Sequence, residues 1–103
     1  MTHALNNNIK PIHYDISLDP DLNNAVFYGQ VKIYINVRQD TKSIVLDSAE
    51  IDVLNASIEQ NNRVFPLTTT CDDENETATF VCTHQITKGE GILKLNFSGI
   101  LND

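Results

Sequence analysis

The chain has 103 residues, 41% hydrophobic and 20% charged, with 14 acidic against 7 basic side chains and a formal charge of −7. That length has room for one core, so a single domain over residues 1–103 is expected, and the composition excludes a disordered or low-complexity chain. The scattered basic residues argue against a nucleic-acid partner, which needs a Lys/Arg patch to release phosphate counterions. No run approaches the ~18 apolar residues of a membrane span and no basic-then-apolar leader opens the sequence, which predicts no membrane association and a cytoplasmic location.

Met1 to Asn8 is polar and expected to fray. From Pro11 to Val37 every second residue of two runs is apolar: Tyr14, Ile16 and Leu18, then Phe27, Val31, Ile33, Ile35 and Val37. That period places one strand face on a core. Asp19 to Asn24 reverses the chain between the runs, because Pro20 has a fixed φ and no N–H while the Asp and Asn side chains bond nearby backbone. Gly29 interrupts the apolar register, the mark of a bulge or of a close backbone approach. After a polar turn from Arg38 to Lys42, Ile44 and Leu46 begin a third strand; Ile51, Val53 and Ile58 continue the pattern, with an irregularity at Asn55, Ala56 and Ser57.

Gln60-Asn61-Asn62 signals a turn, and Val64-Phe65-Pro66-Leu67 with the following threonines reads as a strand that Pro66 confines to an edge or a bulge. Past an acidic turn from Asp72 to Glu76, Ala78, Phe80 and Cys82 alternate with Thr79, Val81 and Thr83. Lys88 to Gly91 is a loop, and Leu93, Leu95 and Phe97 make the last strand. About seven strands with no 3.6-residue period predict an all-β fold, an antiparallel β-sandwich or a saddle-like folded sheet.

His13-Tyr14-Asp15-Ile16, Leu18 and Pro20, followed by Phe27, Gly29, Val31 and Ile33, resemble the opening of the M1 zinc aminopeptidases, the family of aminopeptidase N and the puromycin-sensitive and fungal cytosolic enzymes. The likeness continues through Thr41, Ile44 and Leu46, then Ile51 and Val53, and closes at Phe97-Ser98-Gly99-Ile100-Leu101-Asn102-Asp103, similar to the family's F-x-G-x-L-N-D segment. It departs where Leu5 is followed by Asn6 instead of Pro, and where Asp47 replaces a common His or Asn. The resemblance implies the first part of a β-rich N-terminal domain that packs on a zinc-bearing catalytic domain. Zinc, peptide substrates and the removal of N-terminal residues would then belong to the full-length enzyme.

The chain itself carries no recognisable chemistry. A zinc peptidase needs two histidines one helical turn apart plus a carboxylate, and His3, His13 and His84 do not have that spacing. Neither H-E-x-x-H nor the family's G-x-M-E-N segment occurs, so the catalytic, cofactor-binding and metal-binding residues expected here are none. His13, Asp15 and Ser17 hold the ingredients of a hydrolase triad but project side by side from one strand, where a triad needs convergence on one atom. Asp19, Asp21 and Asn23 imitate a calcium loop that then fails at Asn24 and Gln30, and Asp72, Asp73, Glu74 and Glu76 read as a solvated cap.

Cys71 and Cys82 flank the acidic turn and are expected as free thiols in a cytosolic chain, with a bridge across the hairpin as the extracellular alternative. Sequons at Asn55, Asn75 and Asn96 matter only in a secreted protein. Tyr28 and Tyr34 fall on the polar-side parity of the second strand, as contacts for the rest of an aminopeptidase or as part of a second packed face. Two functions remain open at this point: a non-catalytic aminopeptidase domain with the catalytic domain as partner, or a stand-alone β-sandwich binding module. Strand edges left uncovered would favour self-association.

Overall fold

Period-two patterning becomes seven strands in the computed structural model, which describes residues 8–47 and 52–101. They are β1 (Ile9–Asp21), β2 (Val26–Val37), β3 (Thr41–Asp47), β4 (Asp52–Gln60), β5 (Arg63–Asp72), β6 (Thr77–Ile86) and β7 (Gly89–Ile100), with no helix among the described residues. All pairings are antiparallel, in the spatial order β1-β2-β7-β4-β5-β6-β3. The expected fraying of the first residues, the strand role of Ile51 and the last two residues of the closing motif lie outside the described residues.

β5 turns the corner. Arg63 to Leu67 pair with β4, and Thr68 to Asp72 pair with β6, so the ladder changes partner between Leu67 and Thr68. The sheet curls there into a half-barrel. Pro66 lies opposite Ser57 in the part of β5 whose described pairing is to β4 alone, a place where a residue without an N–H is tolerated. Cross-strand partners share a face. Ile33, Leu93 and Ile58 therefore form one inner row, and Val31, Leu95 and Ala56 the next. Ile44, Leu46, Ala78, Phe80, Cys82 and Ile86 from the other half join the same buried cluster. Removing the ring of the fully buried Phe80 would cost about 3–5 kcal/mol.

β1 departs from expectation. Tyr14 packs against the core, but Ile16 and Leu18 are exposed, Leu18 to 62%. β1 is an edge strand in the sheet order, and the core that fills the curl covers Tyr14 opposite Ile33 but leaves Ile16 and Leu18, opposite Val31 and Gly29, uncovered. Pro20 also lies inside the strand, opposite Phe27, and the chain reverses after Asp21.

Bulges sit elsewhere than at Gly29. Pro11 pairs with Ile35 and His13 with Tyr34, leaving Ile12 as the extra residue of β1; Val53 pairs with Phe97 and Asn55 with Asn96, leaving Leu54 as the extra residue of β4. The second bulge explains the irregular stretch around Asn55, since one inserted residue lets Val53 and Ile58, of opposite parity, both face inward. Gly29 instead provides the close approach: a Cβ there would lie 2.4 Å from Phe97 Cζ, and a Cβ on Gly99 2.3 Å from Phe27 Cζ. Gly29 pairs with Phe97 and Gly99 with Phe27, so the two F-x-G segments lock reciprocally, each ring over the other strand's glycine. The two rings meet edge to face at 6.2 Å and 78°.

The opposite end is closed by polar contacts. Asn8 accepts from Arg38 N at 2.8 Å through its backbone oxygen, and its amide exchanges two hydrogen bonds with Gln39. Asp40 Oδ1 accepts from Lys88 N at 2.7 Å. The buried Gln60 donates to Thr87 O at 2.9 Å and accepts from Thr87 N at 3.0 Å, fixing the β6–β7 connection. The turn signal at Asn61-Asn62 becomes a two-residue hairpin loop with φ of 53° and 63°, the positive values of a type I′ turn.

The reciprocal lock gives a sharp expectation. Gly29→Ala should destabilise the chain by about 1–3 kcal/mol through overpacking. Adding Phe97→Leu should recover part of that loss, because the two sites share one contact. Chemical denaturation of the single and double variants measures it, and strictly additive losses would contradict the lock.

Candidate functional site

The outer face of the β1-β2-β7-β4 ladder presents a continuous array of mainly polar side chains. Strand alternation and register arrange them in rows: Asp19, Tyr28, Ser98 and Asp52; then Ser17, Gln30, Asn96 and Asn55; then Asp15, Lys32, Lys94 and Ser57; then His13, Tyr34, Ile92 and Glu59. The middle is a polar lattice. Asn96 Nδ2 donates to Asn55 Oδ1 at 2.8 Å, and Lys94 Nζ lies 2.6 Å from Glu59 Oε1. That hydrogen bond, followed by the charge on Lys94, holds the Glu59 carboxyl below the usual carboxylate range. Both partners remain about one-third exposed, at 36% and 33%, so solvent screening keeps the pair's contribution small.

Apolar ground flanks the lattice at each end. The bulge residue Ile12 lines a groove of about 510 Å³ with His13, Tyr34 and Ile92. Leu54, the other bulge residue, lines one of about 470 Å³ with Tyr28, Asn55 and Asn96. Each bulge thus presents an aliphatic side chain in the groove that holds a β2 tyrosine. Parity alone identifies the tyrosines, but Ile12 and Leu54 escape it because a bulge reverses the face on which a residue lands.

The residues with the ingredients of catalysis stay apart. His13, Asp15 and Ser17 stand side by side against Tyr34, Lys32 and Gln30, and the His13 ring centroid lies 5.5 Å from that of Tyr34. His84 is on β6 with its ring 4.7 Å from Phe65 and its Nδ1 3.2 Å from the Thr83 hydroxyl. Among the described residues no three His, Cys, Asp or Glu side chains are grouped to hold a metal, so the residues described do not fit a zinc centre. Cys71 is exposed, Cys82 is buried, and both are free. Cys71 stands opposite Ala78, four residues from Cys82 along β6, which separates the thiols by two same-face rows.

The acidic segments are turns of one design. Asp21 Oδ1 accepts from Asn24 N at 3.3 Å and its Oδ2 from Asn24 Nδ2 at 2.9 Å, with Ala25 following at φ 55°. Asp72 repeats this with Asn75 at 3.2 and 2.8 Å, adds Glu74 N at 3.1 Å, and is followed by Glu76 at φ 56°. The carboxylate oxygens are thus occupied by their own loop. Of the sequons, Asn75 is in this second turn, whereas Asn55 and Asn96 bond each other on the outer face.

A β-ladder whose two F-x-G segments pack on each other is matched by known sequences. Residues 10–103 match the family model of the Peptidase M1 N-terminal domain. The chain belongs to that family. It is 33% identical over 93 residues to Aminopeptidase M1-B of Oryza sativa subsp. japonica, covering 90% of this chain and 10% of that protein. It is 33% identical over 101 residues to Aminopeptidase 2 of Candida albicans, covering 97% and 11%. It is 30% identical over 103 residues to "Aminopeptidase 2, mitochondrial" of Saccharomyces cerevisiae, covering 96% and 10%. This chain therefore spans about a tenth of the length of the relatives it matches.

The acidic turns set an acid response. The Asn24 amide and N–H, and likewise those of Asn75, lower the Asp21 and Asp72 carboxyl pKa values in the folded chain. A depressed folded pKa contributes stability above the unfolded value of about 3.9, and that contribution is lost as pH falls through the folded value. Stability should therefore decline below about pH 4. The Asp21→Asn, Asp72→Asn double variant should show a shallower decline in denaturant titrations, and an unchanged acid slope would contradict the assignment.

Proposed function

We propose that this chain is the non-catalytic N-terminal β-domain of a zinc metallo-aminopeptidase that removes N-terminal residues from peptides. Its own residues supply scaffold and interface to the catalytic domain; zinc and peptide substrate belong to the remainder of the enzyme. The observation that carries this reading is the family match over residues 10–103, in a chain whose relatives are named aminopeptidases and are about ten times its length. The whole of 1–103 acts as one β unit. A cytoplasmic location is supported by the free thiols of Cys71 and Cys82, although one relative is named as mitochondrial.

Scaffolding fits the physics of the edges. β1 and β3 are terminal strands of the sheet order, and the inner side of β1 leaves Ile16 and Leu18 uncovered. Separated from a partner, this chain associates with itself through those edges. Sedimentation velocity should show a coefficient that rises with concentration, and a strictly monomeric species at high concentration would oppose it.

The chemical test is direct. Incubated with aminoacyl-amide substrates and zinc, this 103-residue chain should produce no turnover. Robust turnover abolished by a chelator would sink the non-catalytic reading.

A further inference from the structure

The two ends of the outer face differ in charge. At the end bearing the β1–β2 turn, the rows Asp21, Val26, Ile100 and Asp19, Tyr28, Ser98, Asp52 contain three carboxylates and no cation. The next row, of Ser17, Gln30, Asn96 and Asn55, is uncharged, and Lys32 and Lys94 appear only beyond it. Inside this acidic rim lie three strongly exposed apolar side chains, Tyr28 at 49%, Leu54 at 57% and Ile100 at 69%. Tyr28 and Ile100 are diagonal neighbours across the β2–β7 pair, about 7–8 Å apart at Cα, and β4 with Leu54 lies roughly 10 Å from β2, across β7. By contrast, the Tyr34 end mixes signs, with Lys10 and Lys94 near Glu59 and Glu90.

An apolar centre within a single-sign rim is the anatomy of a docking site, in which the aromatic and aliphatic anchors supply affinity and the rim selects the partner's charge. The β7 strand ends at this patch, where Leu101 N donates to Ala25 O at 2.8 Å. Relatives carry about nine-tenths of their length outside the matched region.

We propose that Tyr28, Leu54 and Ile100, rimmed by Asp19, Asp21 and Asp52, form the docking surface for an apolar, Lys/Arg-rimmed surface of the polypeptide bearing the catalytic domain. This rests on the aminopeptidase reading and locates its interface. The side chains involved are exposed, so they can be altered without opening the core.

The test places a photo-cross-linking phenylalanine analogue at Tyr28, at Leu54 in a second sample, and at Asn36 on the other end as a control, in the product of the full coding region. Cross-links from the first two positions should map by mass spectrometry to a segment outside residues 1–103 that joins apolar residues to Lys or Arg. Asp19→Asn with Asp52→Asn should lower their yield several-fold and flatten its dependence on salt. Cross-links to a second copy of this chain, or a yield no higher than at Asn36, would overturn the docking surface. Chelator-sensitive aminopeptidase activity is measured on the same product. Its absence overturns the aminopeptidase reading, while the cross-link map still decides the surface.

Discussion

The register between β2 and β7 is the constraint on which the structure depends. It runs from Val26 opposite Ile100 to Val37 opposite Gly89, through the middle of the largest ladder. A slip of one residue would turn Val31, Ile33 and Ile35 outward and bring Lys32 and Tyr34 into the core. The reciprocal Phe–Gly contacts penalise such a slip, because the Phe97 and Phe27 rings occupy the space that a Cβ at Gly29 or Gly99 would need. At the other end Gln60 closes on the β6–β7 connection, so the ladder is fixed from both sides.

From that register follows a separation of roles between the two faces. The inner face is filled by side chains at its centre, where Ile33, Ile44, Phe80 and Leu93 are fully buried. The outer face holds a polar lattice of Asn55, Asn96, Lys94 and Glu59 between two apolar grooves. Bulges create this arrangement by presenting Ile12 and Leu54 beside tyrosines that alternation already directs outward. On this face His13, Asp15 and Ser17 stand on one strand that keeps them side by side instead of converging.

Alternation made the central strands legible because β2 and β7 are covered along most of their inner face. The same alternation on β1 overstated burial, since Ile16 and Leu18 sit where the core no longer reaches. Turn chemistry read well at Asn61-Asn62, whereas Pro20 drew the first turn too early because an edge strand tolerates a missing N–H. The bulges at Ile12 and Leu54 and the pairing of the two F-x-G segments were not readable along the chain. Each depends on which residue lies opposite, a property of two strands and not of one.

The register lock can be observed without altering the protein. Nuclear Overhauser contacts should join the Gly29 α-protons to the Phe97 ring and the Gly99 α-protons to the Phe27 ring, with Val31 facing Leu95 in the same ladder. Contacts that instead pair Gly29 with Asn96 or Ser98 as the opposite residue would contradict the register, and with it the division between a buried inner face and an exposed outer face.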